Sequence, residues 1–417
     1  MANIKGACRS RQGQVWLSLL GGLAVLVGAA CQESADGDAL SVGGIVQADA
    51  PYRQLEPAID SHPYPFEVVA AIRELDENRT IVSDERATQL LLIDFRNDTT
   101  SMLGRSGRGP GEYQQVGRLW STSGDTTLHK EPYAPRLLVL AGTEVVATIG
   151  GTDGAVRQFA TTPILGVDSL GRVAIVVPAR DSRGGTPAAD SLLLLRVNWK
   201  TGDVDTLARI QSQEGWSVAA GVSTGMLGAG VPASGAGEAA AARRTFRMSI
   251  FAPDQVAVMP SGWTAIVRAE PYRVDWCSPE GECAAGQTIQ SAGQELTDSD
   301  KELYLRRAAA TFGWPPTDNV DETDGWPLVL PPFSMPPSRV DAAAAIAAPN
   351  DRVLVERTSN AGSMDTRYDL VDRIEGLVAW FDIPPTDRVV GFGSKHIYIV
   401  RTTEDGWQIL RKHPWTF

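Results

Sequence analysis

From Phe66 to the C-terminus the chain either alternates apolar and polar positions or gathers short apolar runs, and turn residues interrupt it about every ten positions. The stretch Phe66 to Arg105 shows the unit. FEVVAAIREL leads to the turn Asp76-Glu77-Asn78, then RTIVSD, then QLLLIDF, then the turn Arg96-Asn97-Asp98, then TTSMLGR. Each run is too short for a helix, and the period of two with β-branched residues predicts four strands. Similar units span Arg118 to Ile149, Ile164 to Ile210, Asp254 to Gln290 and Val340 to Asp382. The last unit, Arg388 to Lys412, contains three strands. A segment before Phe66, around Tyr52–Ile59, is therefore expected to supply its fourth and remove two open sheet edges.

Two stretches break the rhythm. Gln211 to Met248 is rich in Ala, Gly and Ser, and reads as a loop with a short helix. Ser291 to Ser338 begins with Leu296-Thr297-Asp298-Ser299-Asp300, suitable helix-capping chemistry, and runs into KELYLRRAAATF, which predicts a helix of about a dozen residues. It then turns Trp- and Pro-rich, which regular elements do not tolerate. Without insertions at 211–248 and 291–338, roughly 285 residues of Gln47–Phe417 remain. At about 40 to 45 residues per four-stranded blade that makes six or seven blades. The expected fold is all-β: a β-propeller of six four-stranded blades with a short helical, Pro-rich insertion. A pair of β-sandwiches is the alternative.

The N-terminus carries a different pattern. Met1 to Gln14 holds Lys5, Arg9 and Arg11 without an acid, Val15 to Val27 is free of charge, and Gly28, Ala29, Ala30 and Cys31 follow. This is the order of a secretory signal. As a helix the apolar run reaches about 20 Å against about 30 Å of hydrocarbon, too short for a span. The small residues before Cys31 resemble a bacterial lipobox, which implies a signal peptide over residues 1–30, lipidation at Cys31 and, with Gln32 next, the outer membrane; plain secretion is the alternative. Polar, aperiodic residues 31–50 read as a flexible tether, and residues 51–417 as one propeller domain. The formal charge of −12 excludes a nucleic-acid binder, which needs a basic face. Loss of Lys5, Arg9 and Arg11 with the signal, and of no acid, takes it to −15. An acidic body is held off an anionic bilayer, so the membrane is met through the anchor alone.

The segment Gly104-Arg105-Ser106-Gly107-Arg108-Gly109-Pro110-Gly111-Glu112-Tyr113 resembles the connector after the first blade of bacterial six-bladed β-propeller lipoproteins, chains related to NHL-type propellers. SDERATQLLLIDF and the closing DRVVGFGSKHIYIVRTTEDGWQIL are similar to that family's first and last blades. The resemblance implies a fold without naming a reaction. Read from its residues, the decapeptide has two interpretations. It can be a blade connector whose glycines and proline set the path, or a nest of backbone amides for an anion with Arg105 and Arg108 beside it.

Candidate chemistry is sparse. Gly221-Val222-Ser223-Thr224-Gly225 matches the G-x-S-x-G elbow, yet no strand–helix context surrounds it and only His396 and His413 follow. Asp84, Glu85, Asp168 and Asp254 stand near strand ends or turns and are possible ligands for a divalent cation at a channel mouth. Acidic turns are also ordinary for exposed hairpins. Cys277 and Cys283 flank Ser-Pro-Glu-Gly-Glu, a turn that brings two strands into register and predicts a disulfide in an oxidising compartment. Trp314 and Trp326 offer flat surfaces for a carbohydrate or peptide groove, although the commoner role for them and for Trp380, Trp407 and Trp415 is to cap the open end of a barrel-like core. The resulting expectation is a monomeric, lipid-anchored envelope propeller without a cofactor. It is read as a non-catalytic module for a protein or glycan partner, because long loops on a rigid scaffold are where such folds carry function. The alternative is a propeller hydrolase or lactonase using a cation or Ser223.

Overall fold

The period-two segments pair, in chain order, into six antiparallel sheets. The computed structural model describes residues 46–47, 50–109, 111–131, 136–150, 162, 164–178, 191–198, 200–211, 253–291, 293–312, 328–333, 344–360, 362–363 and 365–417. Blade 1 runs from Val69–Glu74 through Arg79–Asp84 and Gln89–Asp94 to Thr99–Met102. Blade 2 begins at Leu119–Ser121, blade 3 at Ile164–Val167, blade 4 at Gln255–Val258, blade 5 at Ala345–Ala348 and blade 6 at Asp387–Phe392. These first strands form the inner ring. Each touches the next, and Asp387–Phe392 returns to Val69–Glu74, closing a six-bladed propeller.

The core follows from this arrangement. A blade packs both faces, so its strands bury alternate side chains into two seams, and each of the six seams holds one apolar cluster. Ile81, Leu90, Tyr113, Leu138 and Leu140 fill the seam between blades 1 and 2. Phe66, Val69, Ile93, Tyr398 and Leu410 fill the seam between blades 6 and 1. The other four seams are likewise filled by apolar side chains, Leu, Ile, Val and Ala chief among them.

Closure is made by the chain's N-terminal part, one step further along than Tyr52–Ile59. Asp60–Phe66 pairs antiparallel with Gln408–Pro414 as the fourth strand of blade 6. Pro63 and Pro65 lie in the bulge between His62 and Phe66, on an outermost strand where a missing amide leaves no ladder bond unmade. The residues before it run along neighbouring blades. Val46–Gln47 pairs in parallel with Thr288–Ile289 of blade 4. Tyr52 bridges Trp380 of blade 5, Arg53 N donates to Trp380 O at 2.8 Å, and Trp380 Nε1 donates to Ala50 O at 3.1 Å. A strap formed by residues 46–47 and 50–66 thus stitches the outer edges of blades 4, 5 and 6 in turn, beginning within the expected tether.

The second insertion leaves blade 4 and carries the helix Asp298–Phe312. Thr297 caps it: Thr297 N donates to Asp300 Oδ2 at 2.9 Å and Asp300 N to Thr297 Oγ1 at 3.2 Å, a reciprocal box. The insertion returns through an antiparallel bridge between Glu295 and Val329, with Leu296 N donating to Leu328 O and Leu330 N to Gln294 O. Its foot is fixed. Phe333 is wholly buried in the seam between blades 4 and 5, and Arg357 donates to Ser291 Oγ and Pro332 O, each at 2.7 Å. The first insertion, 211–248, lies outside the described residues from 212 onward.

Candidate functional site

Because every inner strand runs the same way through the ring, the two mouths of the central channel are built differently. Turns between first and second strands gather at one mouth; second-to-third loops and blade-to-blade crossovers gather at the other. Both insertions leave and rejoin the propeller at the crossover face.

The turn mouth is laced. Ser169 N of blade 3 donates to Pro260 O of blade 4 at 2.9 Å, and Ser261 Oγ of blade 4 donates to Asp351 Oδ1 of blade 5. Arg73 of blade 1 donates to Gly124 O of blade 2 at 3.3 Å. Blades 6 and 1 are joined by Glu74, whose buried carboxylate accepts from Ser394 N and Tyr398 OH at 2.8 Å and from Ser394 Oγ at 2.9 Å, and meets His396 Nδ1 at 2.8 Å. Burial pushes this carboxyl up, but the bonds from Ser394, His396 and Tyr398 outweigh it and hold it below the usual range. Gly393 is required there, since a Cβ would lie 2.0 Å from Glu74 Oε2.

The crossover mouth is charged. Glu356 of blade 5, Arg388 of blade 6, Glu85 of blade 1 and Arg118 of blade 2 line one cavity of about 760 Å³ that runs along the axis. The four blades are consecutive around the ring, so the signs alternate. Arg388 donates to Val69 O at 2.7 Å, and Tyr368 OH donates to Glu356 Oε2 at 2.8 Å. Burial lowers the affinity of Arg388 for its proton, opposed by Tyr368, Glu356 and Glu85.

Of the carboxylates singled out from sequence, only Glu85 lines this mouth. Asp84 accepts from Glu67 N at 2.8 Å and Val68 N at 2.9 Å, fixing the entrance to blade 1. Asp168 sits at the opposite, laced mouth, where it holds Leu170 N, Arg172 N and the Arg172 guanidinium. Asp254 pairs with Arg268. The fold does not assemble these four into one ligand set. Among the described residues no group of three His, Cys, Asp or Glu is arranged to hold a metal ion.

The Gly-rich decapeptide folds around its own anion. Glu112 Oε2 accepts from Gly109 N at 2.7 Å, and Glu112 Oε1 from Arg105 Nε at 2.6 Å. Gly109 N and then Arg105 hold this carboxyl below the usual range. Gly107 is needed for space, because a Cβ would lie 2.0 Å from Glu112 Oε2. Gly104 and Gly111 take positive φ of 67° and 74°. Tyr113 OH donates to Leu103 O and accepts from Leu90 N, both 3.1 Å, locking the segment to blade 1. The nest that the sequence offers to an anion is filled by Glu112. Pro110 lies outside the described residues.

Cys277 and Cys283 are bonded, with Cα atoms 4.0 Å apart in cross-strand register. Gly281, at φ 97°, closes the turn between them, and the turn leans on blade 3 through Arg172 donating to Pro279 O at 2.9 Å. Trp380 sits between the edge of Tyr52 and the Arg367 guanidinium; Trp415 packs with Phe381, Phe392 and Phe417, while Trp407 is partly exposed. Cys31, Ser223, Trp314 and Trp326 lie outside the described residues. The alternating arc itself went unread in sequence, since its members stand in separate blades as ordinary strand-end charges.

No protein-family model matches the chain, and no curated protein matches it. Among solved structures it is similar to an exported protein of Bacteroides fragilis at 8% identity, covering 88% of this chain and 99% of that one, with a TM-score of 0.45. It is similar to regucalcin, a calcium-binding protein of Agrobacterium tumefaciens, at 9% identity over 88% and 98% of the two chains, TM-score 0.39. Virginiamycin B lyase of Staphylococcus aureus aligns at 9% identity over 86% and 99%, TM-score 0.40.

Proposed function

We propose that this propeller is a lipid-anchored, non-catalytic binding module of the bacterial envelope, taking a protein or glycan partner on its crossover face. The supporting observation is the asymmetry of the mouths. One is laced turn to turn, whereas the other carries the arc of Glu356, Arg388, Glu85 and Arg118, the second-to-third loops and both insertion sites, the axial cavity reaching both. Loops on a rigid scaffold are free to vary without loss of the core, which is why recognition concentrates on them. The second insertion adds to this reading, because its clamped stem presents Leu328 at 85% and Val329 at 48% exposure.

The test is crosslinking in native envelopes, comparing the full chain with one in which residues 298–327 are replaced by a short Gly-Ser link. Leu296 and Leu328 are already hydrogen-bonded neighbours, so this cut spares Phe333 and the Ser291–Arg357 clamp. Loss of partner capture supports the reading, and retained capture overturns the role of the insertion. Turnover in an esterase and lactone panel, abolished by Ser223→Ala or by metal removal, overturns the non-catalytic reading. The anchor is tested by Cys31→Ser, which is expected to move the protein from the membrane to the soluble fraction; unchanged fractionation refutes it.

A further inference from the structure

The charged mouth narrows the chemistry of what enters it. Around four consecutive blades the order is Glu356, Arg388, Glu85, Arg118, and all four border the same cavity. Two of them are held in place, Arg388 by Val69 O and Glu356 by the Tyr368 hydroxyl. Such groups offer their charge without rearranging, which lowers the entropic cost of binding. The arc at this mouth is formally neutral, two Glu against two Arg; Arg73, Glu74, Asp76 and Asp351 line the same cavity at its other, laced end. A ligand with net charge adds an uncompensated charge to this partly desolvated arc, and a ligand without charge displaces water from it while offering its ions nothing in exchange. A ligand carrying one positive and one negative group, a few bonds apart, meets neither penalty. Beyond the arc the cavity is bordered by Ala70, Ala257 and Ala347 on inner strands of blades 1, 4 and 5, so apolar substituents between or beside the two charges find a small apolar wall.

We propose that the crossover mouth binds a small zwitterion bearing a carboxylate and a primary ammonium, the chemistry of an amino acid or a short peptide with free ends. The carboxylate pairs with Arg118 or Arg388, and the ammonium with Glu85 or Glu356. This rests on the reading of the crossover face as the binding face and adds the chemical class of its occupant.

The experiment is isothermal titration of the full exported chain with alanyl-alanine, N-acetyl-alanyl-alanine and alanyl-alanine amide at neutral pH. Removing either ligand charge is expected to weaken binding by about tenfold or more, the loss of one charge-assisted pairing. One of Arg118→Met and Arg388→Met is expected to erase the preference for the carboxylate, and one of Glu85→Gln and Glu356→Gln that for the ammonium, each variant checked for an unchanged melting temperature. Arg118→Lys, which keeps the charge, is expected to retain much of the preference and guards against a merely disrupted mouth. Absence of heat with the dipeptide, equal binding of the two blocked forms, or an unchanged preference in all four variants overturns the proposal. Partner capture by the second insertion is scored separately in the same preparations. If capture persists without zwitterion binding, the binding face stands and the ligand class falls; loss of both overturns both.

Discussion

At the scale of single residues, two groups make testable demands. The loop Gly104–Tyr113 is shaped by the Glu112 carboxylate, and Gly107 leaves it room. Gly107→Ala is expected to push the Glu112 carboxylate off Gly109 N and to destabilise the fold by about 1 kcal/mol, the loss of a hydrogen bond, read as a lower urea midpoint. Glu112→Gln keeps the shape and removes the charge that Arg105 meets, so its loss is expected to be smaller. His129 is fully buried between blades 1 and 2, where its Nε2 accepts from Gly117 N at 3.2 Å. Burial, with Lys130 adding to it, pushes its pKa down from 6.5 to about 3. The folded state therefore stays neutral at a pH where the unfolded state takes up a proton. Stability is full above about pH 6.5, falls as the pH drops, and at pH 5 is lower by about 2 kcal/mol from this group. Burial lowers His62 and His413 in the same direction. Melting from pH 7.5 to 5 checks this: His129→Gln is expected to flatten the slope, and an unchanged slope shows the effect lies elsewhere.

At the scale of elements, the strands of six blades were legible because alternation and turn residues report local backbone geometry directly. The helix was legible for the same local reason, although its first turn starts at Asp298, inside the capping sequence. Asp60–Phe66 was not, because Pro63 and Pro65 read as breakers, and only the bulged outer edge of blade 6 accommodates them. Phe66 is fully buried while Tyr52 is exposed on the strap. Phe66→Ala is expected to cost about 3–5 kcal/mol and Tyr52→Ala under about 1 kcal/mol, measured by urea unfolding. The cystine hairpin Cys277–Cys283 was legible from its turn. Its closed loop is short, so reduction is expected to cost about 2 kcal/mol on the loop-entropy view. Two free thiols in a non-reduced digest of protein prepared from an oxidising compartment count against the bond.

At the scale of the whole molecule, the charged arc was illegible for a topological reason. Glu85 drew notice as a metal ligand, but Arg118, Glu356 and Arg388 lie in other blades, and only ring closure makes them neighbours. Closure also bears on how the protein is made. His413 Nδ1 meets Glu56 O across 357 positions of sequence, and Lys412 Nζ donates to Glu77 O across 335. Contacts of such separation carry the largest loop-closure entropy and form late. A chain that emerges N-terminus first must keep Asp60–Phe66 in waiting until Gln408–Pro414 exists to receive it. The ring thereby works as a gauge of completeness. A chain stopped after Thr386 leaves Phe66 and Val69 uncovered, and pulse proteolysis is expected to cleave it where the finished chain resists. Quality control by housekeeping proteases would then need no dedicated recognition tag, because an unfinished copy advertises itself through the apolar edge that its own last strands conceal.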